Sequence, residues 1–238
     1  MPTLAQCRRL TLVAALTSAV PGCVSTGLRR AQEHTAAGKY EAGIAIYKEL
    51  LQDDPALAEA HWGLGVAYFK LGRFAEAASE LEQLRNASAT PAATALLAEV
   101  YYRLKDVARA QPLALRAVAA SPNDVSAHHL LGVIYRLSGD PAAATRELER
   151  ALELDIEDDA VAVDLASVQV ALGRFPDAAA TLEAALRRAQ EGHRSTAAIN
   201  FALGPVYDAL GLAEEAERVY RLVLQLRPSE SSALVGLG

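Results

Sequence analysis

Gly63-Leu64-Gly65-Val66-Ala67-Tyr68-Phe69-Lys70-Leu71-Gly72-Arg73-Phe74-Ala75-Glu76-Ala77 decides the fold. An apolar Leu64 precedes the small Gly65, Tyr68 follows, Gly72 punctuates, and Ala77 closes the stretch. The order returns at Leu131, Gly132, Tyr135, Gly139, Pro141 and Ala144. With the small residue set at position eight, six copies begin at residues 24, 58, 91, 125, 159 and 197, at spacings of 34, 33, 34, 34 and 38. Such a period marks a supersecondary unit that buries its apolar face only by stacking on neighbours. Position eight is small in every copy (Ala31, Gly65, Ala98, Gly132, Ala166, Gly204), as is position twenty (Gly43, Ala77, Ala110, Ala144, Ala178, Ala216). Two helices must approach closely there.

The breaks between helices follow the same register. Gly38, Gly72, Gly139, Gly173 and Gly211 stand at position fifteen, where a residue without Cβ ends a helix in the left-handed conformation. Copy three departs, with Lys105. Proline closes the second helix of copies one, three and six (Pro55, Pro122, Pro228), because it cannot continue a helix. Copies two, four and five have Ala89, Ile156 and Gln190 there, which predicts second helices that run further. The four extra residues His193 to Thr196 fall in such an extended connection.

These residues resemble the tetratricopeptide repeat, over nearly all of the chain after residue 23. The resemblance implies an all-α fold, a right-handed superhelical solenoid of about six helix-turn-helix repeats. The organisation expected is a signal segment at 1–22, a degenerate first repeat at 23–57, then repeats at 58–90, 91–124, 125–158, 159–196 and 197–230. Residues 231–238 begin a seventh copy, with Leu237-Gly238 at positions seven and eight. Either the array is cut short there, or a partner covers the second helix of copy six (Val219, Tyr220, Val223, Leu224). Both readings predict a sticky end.

Residues 1 to 22 read as a targeting segment. A basic start (Arg8, Arg9) leads into an apolar stretch from Leu10 to Val20, too short to span a bilayer. The boundary Val20-Pro21-Gly22-Cys23 resembles the bacterial lipobox, which implies lipidation of Cys23 and loss of the preceding residues. Gly22 and Val20 fit that pattern and Pro21 departs from it. Arg8-Arg9-Leu10 also allows a twin-arginine signal, although its flanks fit poorly. The alternative leaves residues 4 to 20 as an uncleaved capping helix and Cys23 as an ordinary thiol. Of the two cysteines, Cys7 leaves with the signal and Cys23 carries lipid, so no disulfide is expected. Several acyl chains hold a protein on a membrane where one chain binds only marginally.

Charge narrows the partners. The chain carries −6, and loss of residues 1 to 22, with two arginines and no acid, leaves −8. An acidic surface repels phosphate backbones, which disfavours nucleic acid. Gly63-Leu64-Gly65 begins like a dinucleotide loop, but Tyr68 replaces the third glycine and no strand precedes it. His128 and His129 are adjacent and point apart on a helix, so they cannot share a metal. His61 and His128 hold the same repeat position, which marks a structural role. Asp53-Asp54, Glu157-Asp158-Asp159 and Glu214-Glu215 lie at helix boundaries, where carboxylates favour the helix dipole. Asn86-Ala87-Ser88 is a formal glycosylation sequon. No catalytic residue, cofactor, metal or small-molecule substrate is expected.

What remains is a groove. The resemblance implies that the first helix of each repeat lines a concave face, with positions five, nine and twelve inward. The residues expected to bind a protein or peptide partner are Trp62, Val66, Phe69, Tyr102, His129, Val133, Arg136, Val163 and Phe201. Lys and Asn at positions five and nine, which clamp a terminal carboxylate in the chaperone-binding subclass, are replaced by Leu28 and Gln32, or Trp62 and Val66. Trp62 falls at position five rather than the usual four. An exposed indole beside Phe69 and Tyr102 is a natural anchor; burial of Trp62 against the first repeat, or residues before it folding back across the groove, fits the same register.

The sequence thus reads as a non-catalytic scaffold, lipid-anchored and facing the periplasm, in assembly of an envelope machine. It is similar to the repeat lipoproteins of pilus and secretion-system assembly. Val24 does not resemble the aspartate that retains enterobacterial lipoproteins on the inner membrane, which points to the outer membrane. The alternatives are a cytosolic adaptor, or the regulatory module of a longer enzyme.

Overall fold

A computed structural model describes residues 21–84 and 90–226. Among them are twelve helices and no strand. We number them α1 (Pro21–Ala36), α2 (Tyr40–Asp53), α3 (Ala58–Lys70), α4 (Phe74–Leu84), α5 (Pro91–Arg103), α6 (Val107–Ala120), α7 (Val125–Ser138), α8 (Pro141–Leu154), α9 (Asp159–Ala171), α10 (Phe175–Glu191), α11 (Ala197–Ala209) and α12 (Ala213–Leu226). Each expected copy is one such pair. Residues 1–20 of the expected signal segment, the sequon, Ala89, Pro228 and the expected start of a seventh copy lie outside the described residues. Two compact units divide the chain, Met1–Ala117 and Val118–Gly238, and each is described by itself.

The turns show position deciding conformation. All five glycines at position fifteen have φ between 72 and 79°. Lys105 takes the same conformation, φ 60°, despite its Cβ. The chain closes both kinds of turn alike: Arg73 N–H donates to Tyr68 O and Asp106 N–H to Tyr101 O, each at 2.9 Å. Lys105 therefore carries a left-handed penalty that glycine avoids, partly offset by the greater chain entropy glycine loses on folding. We expect Lys105→Gly to stabilise the protein by about 0.5–1 kcal/mol, read as a higher urea midpoint at unchanged slope. An unchanged or lowered midpoint would show that the turn carries no strain.

Helix ends correct one expectation. Copy four lacks the closing proline, yet α8 stops at Leu154, no later in its repeat than α2 or α6. Asp155 turns extended (φ −139°, ψ 94°), and its side chain accepts the N–H of Glu157 at 3.0 Å. Asp54 does the same with Ala56 N–H in copy one. An aspartate that offers the backbone this local alternative ends a helix as firmly as proline. Among the helices followed by described residues, α10, with 17 residues, runs on as expected. Helix starts are capped by Thr90, Asp124, Asp140 and Asp158, whose side chains accept the N–H groups of Ala93, Ala127, Ala143 and Val161.

The small positions work as contact points for large partners. A Cβ on Gly65 would lie 2.6 Å from Leu81, one on Gly132 2.6 Å from Leu148, and one on Gly204 2.3 Å from the Tyr220 ring. Each glycine faces the residue sixteen positions later, which lies on the second helix of its own copy. In the first unit the same device joins neighbouring copies, with Tyr47 of α2 flat against Gly63 of α3.

The core of the second unit gathers Ala162, Leu182, Ile199, Leu203 and Tyr207, beside a second cluster around Leu148, Val161 and Val168. Val219, Tyr220 and Val223 are buried in the first of these. The expected exposed apolar face on α12 is therefore corrected: those side chains point toward α11, Tyr220 onto Gly204. Among the described residues, the large apolar side chain exposed on α12 is Leu222, at 39 %.

The connection of copy five is pinned. His193 takes φ 53°, and Arg194 N–H closes the turn on Ala189 O at 2.8 Å. The Arg194 guanidinium then forks onto both Asp159 oxygens at 3.1 and 3.2 Å and reaches Glu157 at 2.7 Å. Carboxylates expected to be solvated at a helix start are thus engaged by the insertion that follows them.

Candidate interaction surface

In each unit the first helices of successive copies touch one another. α3 meets α1 and α5 in the first unit; α9 meets α7 and α11 in the second. The second helices leave open grooves, about 340 Å³ between α8 and α10 and about 540 Å³ between α10 and α12. In the second unit, contact on one side and gaps on the other make the first-helix side the inner face, and in the first unit the first helices meet in the same way.

The expected binding residues distribute unevenly over these faces. In the first unit Trp62, Val66, Phe69 and Tyr102 are all half-buried. Phe69 leans on Phe74 with ring centroids 5.8 Å apart and planes tilted by 60°, which holds part of its surface in the turn. Trp62 is neither fully exposed nor lost to the core. In the second unit Phe201 is exposed at 42 % and Val163 is half-buried. Val133 is corrected: at 6 % exposure it belongs to the core and offers almost no binding surface.

His129 and Arg136 come together on Asp164 of the next copy. His129 Nε2 lies 2.7 Å from Asp164 Oδ2, and Arg136 Nη2 stands 3.8 Å from Oδ1. Among the described residues, Arg136 Nε is buried without a hydrogen-bond partner. One copy further on, Pro205 sits inside α11. Proline has no N–H, so the carbonyl of Phe201, four residues earlier, loses its partner within the helix. An exposed ring and a freed acceptor therefore share one turn.

Two further histidines are tied on both sides. His61 places Nδ1 2.7 Å from Glu80 and Nε2 3.0 Å from Pro55 O. His128 repeats the arrangement with Glu147 at 2.7 Å and Pro122 O at 3.0 Å. With both nitrogens engaged, neither ring has a lone pair free for a metal. The recurring spacing of nineteen residues from His to Glu was the available sequence signal for these glutamates. Among the described residues no cluster of three or more His, Cys, Asp and Glu could hold a metal ion.

Tyrosines at position eleven link to acids on second helices. Tyr101 donates to Glu82 at 2.7 Å beneath the Arg109 guanidinium, 4.1 Å from the ring centroid. Tyr207 donates to Glu183 at 3.0 Å. Burial first, and then the carboxylate that accepts its proton, push the Tyr207 hydroxyl up to about 12. Tyr220 is raised for the same reasons, donating to Asp208. These hydroxyls are neutral structural donors.

Family models described as tetratricopeptide repeat match residues 34–98, 95–159 and 163–231. No curated protein matches the chain. Among solved structures, PilW, described as a widely conserved type IV pilus biogenesis factor, is similar at a TM-score of 0.77 and 18 % identity, over 90 % of this chain and 98 % of PilW. Pseudomonas aeruginosa pilF is similar at 0.71 and 17 % identity, over 89 % and 95 %. YrrB, described as a TPR protein with an unusual peptide-binding site, is similar at 0.63 and 21 % identity, over 68 % and 84 %. At these identities the structures carry the fold alone. Repeated helix pairs, left-handed turns at position fifteen and matching models over most of its length agree: the chain belongs to the tetratricopeptide repeat family.

Proposed function

We propose that this protein is a non-catalytic scaffold, lipid-anchored through Cys23 and facing the periplasm from the outer membrane, that supports assembly of a pilus or secretion machine. The observation that carries the reading is the inner face of each unit, where Trp62, Phe69 and Tyr102 in one and Phe201 in the other keep aromatic surface outside the core. Aromatic side chains partly held by packing lose little freedom on binding, and they dominate interface energies. The fold shared with PilW and pilF over nearly their whole lengths supports the choice of machine. Among the described residues no helix is long and apolar enough to cross a membrane, so an envelope protein of this build needs another attachment. The sequence around Cys23 offers one.

The test has two arms in the native host. Labelled fatty acid should enter the wild-type protein and not the Cys23→Ser variant, which should leave the membrane fraction. A chain that takes up no label and stays in the cytosol removes the anchor and leaves a cytosolic adaptor. Capture of envelope partners should fall with Trp62→Ala and Phe69→Ala while helicity is kept. Unchanged capture removes the inner face of the first unit as the binding surface.

A further inference from the structure

We infer that the inner face of the second unit takes a polypeptide segment carrying an acidic side chain and, several residues along, an apolar one, the acid seated on Arg136 and the apolar group on Phe201 and Pro205. This rests on the scaffold reading above and names the chemistry of the partner. Few charges lie at or beside the inward positions of this unit, and those apart from Arg136 are committed. Asp164 is held by His129 at 2.7 Å, and Asp208 accepts the Tyr220 hydroxyl.

Arg136 is the exception. A guanidinium has five N–H donors, yet among the described residues its charged contact is Asp164 at 3.8 Å, beyond hydrogen-bond reach. Its Nε is buried and unmatched, while the side chain as a whole is 34 % exposed. A buried unmatched donor is a cost that persists until something accepts from it. A carboxylate arriving from the inner face can draw the guanidinium outward into a bidentate pair through Nε and one Nη, which satisfies the orphan. Asp164 does not do this: one oxygen is held by His129 and the other lies 3.8 Å from Arg136. Val163, half-buried on α9, continues the surface toward α11. There Phe201 offers an exposed ring, and its carbonyl, freed by Pro205, offers an acceptor for a backbone N–H of the segment.

The experiment is selection of displayed random peptides on the whole protein, followed by anisotropy titration of the enriched peptides. Enriched sequences should share an Asp or Glu separated by several residues from an apolar one. Arg136→Gln should weaken them roughly tenfold or more, and so should replacing the peptide acid by its amide. The two changes together should cost no more than either alone. Arg136→Lys keeps the charge without the fork and should recover only part of the affinity. Melting curves of both variants should fall no lower than wild type, since among the described residues the charged contact of Arg136 is at 3.8 Å and its buried Nε is unmatched. Peptides that bind wild type and Arg136→Gln equally, but are lost with Phe201→Ala, overturn this inference and leave the scaffold reading standing. A selection yielding no binder that depends on Arg136, Phe201, Trp62 or Phe69 overturns both.

Discussion

Leu148→Ala lowers stability by about 2–5 kcal/mol in urea unfolding followed by far-UV circular dichroism, the largest loss expected of a single truncation here. Leu148 is fully buried on α8 among Ala144, Val161, Leu165 and Val168. Its branched end also lies where a Cβ on Gly132 would go. Truncation removes the transfer free energy of the lost methyls and leaves a cavity that two rigid helices cannot close. Gly132→Ala in that background puts a methyl into the space and adds helix propensity, so it should recover part of the loss. In wild type the same change should destabilise. A cost below about 1 kcal/mol for Leu148→Ala would mean that α7 and α8 collapse together, against the close packing described.

Gly63→Ala should cost about 1–2 kcal/mol although alanine is the better helix former. Two effects oppose. Alanine gains about 1 kcal/mol of helix propensity, while overpacking a tight core costs about 1–3 kcal/mol. Overpacking wins because the added Cβ would fall 2.2 Å from Cζ of Tyr47, with the flanking ring carbons at 2.6 Å. An aromatic ring cannot bend away, and Tyr47 is 2 % exposed, so the ring has nowhere to move. In a Tyr47→Leu background the obstruction shrinks and Gly63→Ala should turn neutral or stabilising. If the substitution is neutral in the wild-type chain as well, α2 and α3 do not pack as closely as this.

The fold was legible because its determinants repeat. One ambiguous glycine means little, but five at position fifteen leave the chain no other register, and all five are left-handed in the structure. Lys105 lay beyond that reading, since residue type there contradicts the conformation that the neighbouring helices impose. The stop of α8 was misread for a related reason. Proline is a visible breaker, whereas Asp155 ends a helix only through a hydrogen bond to Glu157 N–H that composition does not announce.

The surface was less legible than the fold. Positions five, nine and twelve fall on one side of a helix by periodicity alone, but burial depends on the next copy. Val133 is covered while Phe201 is not. Asp164 escaped notice because its link to His129 spans 35 residues and joins two neighbouring copies. The fork of Arg194 is of the same kind, made by an insertion that has no counterpart elsewhere in the repeat.

The paired histidines bear on how the chain comes apart. Each ring bonds a carbonyl in the loop before its repeat and a glutamate on the second helix of that repeat. A loop, a first helix and a second helix are thereby fastened as one. In a linear array, stability is a sum of repeat terms and nearest-neighbour terms, and these fastenings add to the latter at only two junctions. Position four holds Thr94 and Ala162 where those fastenings are missing. The loop and the two helices around His61, and likewise those around His128, should therefore open together under load or heat rather than piece by piece.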